Sequence, residues 1–104
     1  MRNLLSLLLC LLFATQALAG GKIVGTVTDG SSSETLIGVS VSLLQKGGTE
    51  PMSGTITDID GNFSFETAAG EYEIEIKYVG YQPKRITDIV VTEGNTTKIP
   101  VAMN

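Results

Sequence analysis

Histidine and tryptophan are absent from this 104-residue sequence, and its single cysteine is Cys10, inside an apolar leader. Without histidine there is no imidazole to hold zinc, relay a proton or activate a serine, so Ser31, Ser32, Ser33 and Ser53 have no evident base. With Cys10 gone, disulfides, thiolate ligands and thiol nucleophiles are excluded as well. Long apolar runs are missing too. The stretch from Leu4 to Ala14 is about half of the ~20 residues that cross a bilayer, and polar Thr15 and Gln16 close it. Basic charge is sparse and scattered, with only Lys84 and Arg85 adjacent. No basic stripe exists to track phosphates, which argues against nucleic acid and anionic lipid as partners.

What is present at the start is a leader. Arg2, the apolar run and Ala17-Leu18-Ala19 form a secretory signal peptide over 1–19, with cleavage expected between Ala19 and Gly20. No membrane insertion is expected after cleavage. Residues 20–104 then form one domain. Its basic residues are Lys22, Lys46, Lys77, Lys84, Arg85 and Lys98, against 11 acidic ones, a balance that serves solubility. A domain this small buries only ~60–65% of its unfolded surface, so most apolar positions must enter the core.

The governing pattern has a period of two. In "EYEIEIKYVGY", Tyr72, Ile74, Ile76 and Tyr78 alternate with Glu71, Glu73, Glu75 and Lys77, which describes a half-buried strand. "IGVSVSLLQ" repeats it, placing Ile37, Val39, Val41 and Leu43 on one face. "KIPVAMN" does so again, and Pro100, which has no N–H, puts that strand at an edge or turned from its neighbour. Weaker strand patterns cover 22–29, 52–58, 62–67 and 84–91, separated by turn-rich segments such as "DGSSSET", "KGGTEP" and "TEGN". Seven short strands about 12 residues apart, with no helical period, predict an all-β, seven-stranded antiparallel β-sandwich.

The closest approach to a chemical constellation is "TITDIDGNFSFE", with Asp58, Asp60 and Asn62 as candidate calcium ligands. An EF-hand loop needs glycine at its sixth position and a bidentate glutamate at its twelfth. Counted from Asp58, glycine comes fourth and the twelfth residue is Ala69, so that pattern fails. The preferred reading is a tight turn in which Asp58 accepts backbone N–H groups and Asp60-Gly61 makes the corner; weak calcium binding is the alternative. A carboxylate pair for glycoside hydrolysis would need a cleft around it. Glu71, Glu73 and Glu75 are expected to form a solvated ladder, with Lys77 pairing to a neighbouring strand. Tyr81 is the one plausible exposed aromatic contact. Asn62-Phe63-Ser64 and Asn95-Thr96-Thr97 are sequons that matter only in a glycosylating host.

"GTVTD" (25–29), a variable loop, "LIGVSVSL" (36–43), "GTITDIDGNFSF" (54–65) and "YVGY" (78–81) follow in an order that resembles the carboxypeptidase regulatory-like domain. The resemblance spans about Lys22 to Met103. It implies a transthyretin-like (prealbumin-like), Greek-key sandwich of the kind found beside metallocarboxypeptidases and ahead of the plug of TonB-dependent transporters. Such domains are accessory modules, so the resemblance carries over no catalytic residue and no cofactor. A related branch of the fold hydrolyses a urate breakdown product with histidines and a Y-R-G-S-like C-terminus; this chain has no histidine and ends in "VAMN". The expectation is a non-enzymatic, exported module of the periplasm or cell envelope, acting by contact with an envelope protein beside a transporter or peptidase. The alternative is a carbohydrate-binding module, for which only Tyr81 and Tyr72 could offer rings.

Overall fold

A computed structural model describes residues 20–104; the expected leader 1–19 lies outside the described residues. Seven strands follow in order: β1 (Gly21–Asp29), β2 (Ser40–Gln45), β3 (Ser53–Ile56), β4 (Asn62–Thr67), β5 (Gly70–Lys77), β6 (Lys84–Val91) and β7 (Thr96–Met103). They make two sheets, ordered β4-β1-β7 and β3-β2-β5-β6, and no helix occurs among the described residues. The all-β sandwich read from the alternation is therefore the fold.

The alternating side chains meet between the sheets. Ile23 and Val27 of β1, Val41 of β2 and Ile74 and Ile76 of β5 are wholly buried, as is Val39 just before β2. In the register, Val41 faces Ile76 and Leu43 faces Ile74, so the apolar positions of neighbouring strands share one face. Each such side chain removed from water contributes about 1.5–3 kcal/mol. Phe63 and Phe65 close the β4 side, their rings 6.1 Å apart and tilted by 59°. Gly25 sits opposite Phe63, whose ring fills the space where a side chain at position 25 would stand.

Two details differ from the sequence reading. One pair is parallel rather than antiparallel: β1 runs beside β7, from Lys22↔Thr96 to Asp29↔Met103. A parallel pair needs a long crossover, and here the chain passes through the whole second sheet between its first and last strands. The other concerns Ile37, expected to face inward with Val39. Gly38 takes φ 76° and turns the chain, so β2 begins only at Ser40 and Ile37 is left exposed. Pro100 lies exposed on β7, an edge strand of its sheet.

Candidate functional site

The strand directions bring three connections, 30–39, 57–61 and 78–83, together with Asn104, to one end of the sandwich. Backbone bonds tie them to one another. Leu36 N–H donates to Val27 C=O at 3.0 Å, Val27 N–H to Gly61 C=O at 2.8 Å, Gly38 N–H to Thr57 C=O at 3.0 Å and Gln82 N–H to Asn104 C=O at 2.9 Å. Buried Thr57 adds two side-chain bonds, accepting from Val39 N–H at 2.9 Å and donating to Leu36 C=O at 2.6 Å. Loops tied this way hold a fixed shape.

The turn after β3 spends most of its polar groups internally. Asp58 Oδ1 accepts from Asp60 N–H and Asn62 N–H, each at 2.9 Å, and Gly61 turns the corner at φ 77°. Asn62 Oδ1 accepts from Thr26 Oγ1–H at 2.6 Å, which anchors the turn to β1. The three calcium candidates thus lie in one turn, yet an oxygen of Asp58 and that of Asn62 are already engaged. Among the described residues no group of three or more acidic, cysteine or histidine side chains gathers around a common point.

Tyr81 is not the open aromatic contact expected of it. It is half-buried, its hydroxyl donates to Asp29 Oδ2 at 2.5 Å, and its ring stacks on Tyr78 with centroids 5.8 Å apart. Asp29 Oδ1 accepts from Ser31 Oγ–H at 2.6 Å, Ser31 N–H at 2.8 Å and Ser32 N–H at 3.1 Å. These bonds, the Ser31 hydroxyl first and Tyr81 next, hold the Asp29 carboxyl well below the usual carboxylate range. The same contact with Asp29 raises the Tyr81 phenol. Tyr72 is buried and donates to Ala68 C=O at 2.7 Å. No aromatic ring among the described residues is fully open to solvent.

The acidic ladder of β5 is likewise engaged. Glu73 is buried, with Oε2 accepting from Gly47 N–H at 2.8 Å and Oε1 from Arg85 Nε–H at 2.6 Å. Arg85 also donates to Gly48 C=O at 2.7 Å, so the 46–52 connection is clasped onto this face. Leu44, in register with Glu73 and buried outside the main core, lies on the same face. The Gly47 bond, followed by Arg85, lowers the Glu73 pKa. Lys77 pairs with Glu75 of its own strand at 2.8 Å, not across strands as expected; the cross-strand cation is Arg85.

Among the exposed polar residues of this end, such as Ser32, Asp60 and Gln82, four aliphatic side chains also stand free. Ile37 is 54% exposed, Ile56 66%, Ile59 75% and Val79 94%, and all four belong to the loop end or to the strand end leading into it. A shallow groove over the outer face of β1, β4 and β7, lined by Val24, Thr26, Ser64, Lys98 and Pro100, reaches Ile56 at its rim.

A family model of the carboxypeptidase regulatory-like domain matches residues 22–104. The chain belongs to that family. No curated protein matches the sequence. Among solved structures, this regulatory-like domain is similar to a chain of a type II cohesin–X-dockerin complex from Acetivibrio cellulolyticus (TM-score 0.63, 22% identity, covering 81% of this chain and 57% of that one). It is similar to a minor pilin of Streptococcus agalactiae (TM-score 0.64, 18% identity, 82% and 44%). It is also similar to the 5-hydroxyisourate hydrolase of Klebsiella pneumoniae (TM-score 0.56, 19% identity, 77% and 81%). The domain spans about half the length of the first two. At these identities the likeness is one of fold, and site chemistry has to be argued from the residues present.

Several of those residues escaped the sequence reading of this regulatory-like domain. Asp29 was visible only as part of a turn, although Asp-Gly-Ser-Ser is the composition of a loop capped by its own aspartate. The pairing of Glu73 with Arg85 depends on strand register, which periodicity does not give. Adjacent Leu43 and Leu44, a break in strict alternation, were the signal that both faces of β2 are covered there.

Proposed function

We propose that this chain is a non-enzymatic, exported module that works by contact with an envelope protein, as an accessory to a transporter or peptidase system. One observation carries the reading: the side chains of Asp29, Asp58, Asn62 and Tyr81 are engaged inside the domain, while the loop end leaves Ile37, Ile56, Ile59 and Val79 exposed among its polar residues. No buried side-chain nitrogen or oxygen among the described residues lacks a partner, so no orphaned group is aimed at a substrate. Ile37, Ile59 and Val79, by contrast, pay a hydration cost that only contact with another apolar surface removes. Similarity of fold to a pilin and to a chain of a cohesin–dockerin complex supports the extracytoplasmic setting, as does the leader expected over 1–19. The half-buried, mutually stacked Tyr78 and Tyr81 favour a protein over a sugar, because a sugar face needs an open ring.

The test is affinity isolation from envelope extracts with the purified protein and with an Ile59→Asp, Val79→Asp variant. One specific envelope protein retained by the former and lost with the latter is the expected result. Equal recovery by both, or turnover of a substrate by the purified chain, overturns the reading.

A further inference from the structure

The four edge strands of the sandwich are not equally closed. On one side, β7 carries Pro100 and Lys98, and β6 carries Lys84 and Arg85 together with a register shift opposite Tyr72–Ile74, where Asp88 takes φ 60°. Proline, lysine and a bulge are the devices that keep an edge from accepting another strand. On the other side, β4 presents Asn62, Ser64 and Glu66 outward, a polar edge. β3 itself has none of these devices over Ser53–Ile56; Pro51 and the bond from Met52 N–H to Leu43 C=O at 2.7 Å lie just before it. It contains no charge and no proline, and its outward positions are Gly54 and Ile56, with Met52 (50% exposed) continuing the row.

The ladder shows which backbone groups are free. Thr57 N–H bonds to Val39 C=O at 3.0 Å, and Thr55 faces Val41 two residues on. In an antiparallel ladder the bonding residues alternate, so Thr55 and Ser53 turn to β2 while Gly54 and Ile56 turn their N–H and C=O groups to solvent. Gly54 has open space beside it, the nearest atom to a side chain built there being Val41 O at 3.8 Å. The outer face of β3 is therefore a notch between two exposed apolar side chains.

Charge completes the description. Glu50 precedes this row and Asp58 and Asp60 follow it, and none of the three is ion-paired among the described residues. Lys and Arg are absent from 47 to 76.

We propose that β3 accepts a fifth strand of its sheet from a partner protein: an extended, antiparallel segment with a large aromatic side chain over Gly54, aliphatic neighbours against Met52 and Ile56, and basic residues at both ends. Main-chain bonds to Gly54 and Ile56 supply register, and the bracketing carboxylates select the basic ends. A second copy of this chain is a poorer occupant. Its own β3 row offers no aromatic side chain and is bracketed by carboxylates rather than basic residues, and two chains of net charge −4 repel one another. This inference rests on the contact reading above, since it names the surface and the partner for that contact.

The probe is the labelled heptapeptide Lys-Val-Thr-Tyr-Thr-Val-Lys, titrated against the purified protein by fluorescence anisotropy. Saturable one-to-one binding is expected. Replacing Tyr by Ala, or both Lys by Glu at low salt, weakens it by about tenfold or more. Methylating the Tyr amide nitrogen, which would bond to Gly54, abolishes binding, whereas methylating the flanking Thr amides, which point away, does not. On the protein, Ile56→Lys removes binding and Val90→Lys on β6 leaves it unchanged, although Val90 is 52% exposed. Failure of the peptide to bind, or equal tolerance of both methylation patterns, overturns the strand proposal. If the envelope protein is still retained in that case, the contact reading survives without it.

Discussion

The two flanks of the sandwich are built from the same alternating strands, yet one is shut and the other is left open. Where β6 lies beside β7, Lys84 reaches across to the Ala102 carbonyl at 3.0 Å, Thr97 Oγ1–H donates to Val90 C=O at 2.9 Å, and a proline and a bulge spoil both edges. Where β3 lies beside β4, the short strand ends in exposed Ile56 and runs into a turn that exposes Ile59. Both flanks cover the same core, so stability alone does not call for the difference. An edge left uncharged in a small domain carries an aggregation cost, which the contact proposed above would offset.

The two flanks share one core. Ile76→Ala empties a wholly buried position facing Val41 and should cost ~2–5 kcal/mol, read as a lower urea midpoint. Next comes the corner that joins β3 to β4. Gly61 has φ 77°, and a methyl group there would meet Val27 O at 2.8 Å. Gly61→Ala should therefore destabilise the fold by ~1–3 kcal/mol and loosen the open flank while leaving β6 and β7 protected in hydrogen exchange.

A smaller effect separates the clasped face from the open edge by pH. Glu73 has a lowered folded-state pKa, because Gly47 N–H and then Arg85 favour its charged form, and Asp29 is lowered by Ser31 and Tyr81. A depressed carboxylate stabilises the fold above its unfolded value of ~4 and loses that contribution as pH falls through the folded value. Urea midpoints should drop from pH 5 downward, and the drop should be shallower in Glu73→Gln. An unchanged slope would show that the clasp contributes nothing.

The smallest stability effects belong to the edges. Pro100→Thr and Ile56→Lys alter exposed side chains and should each stay within ~0.5 kcal/mol of the parent. They should differ in association. Pro100→Thr opens the shut flank and increases self-association by light scattering, and Ile56→Lys, on an edge that a second copy does not fill, leaves it as in the parent.

Much of this was legible in the sequence because a period of two maps directly onto burial. Tyr72, Ile74 and Ile76 of β5, and Ile99, Val101 and Met103 of β7, all went inward as their alternation required. Pro100 left β7 either at an edge or turned from its neighbour, and the sheet order makes it an edge strand. What alternation omits is register and backbone sign. The parallel β1–β7 pair and the burial of Glu73 under Arg85 depend on which strand lies next to which, and the outward swing of Ile37 depends on the positive φ of Gly38. Tyr81 failed for a related reason: its partner Asp29 is distant in sequence, and only the fold brings their side chains together. Exposure of Ile59 and Val79 could be placed in turns from sequence, but their gathering at one end could not.

In the proposed contact the apolar β3 edge and its loop end meet a partner while the β6–β7 flank does not. The most direct measurement is photocrosslinking in intact cells from a benzophenone side chain placed in turn at positions 56, 59, 98 and 100. A discrete adduct from 56 and 59, with none from 98 and 100, is the predicted pattern. Equal adducts from all four positions, or none from 56 and 59, would contradict it.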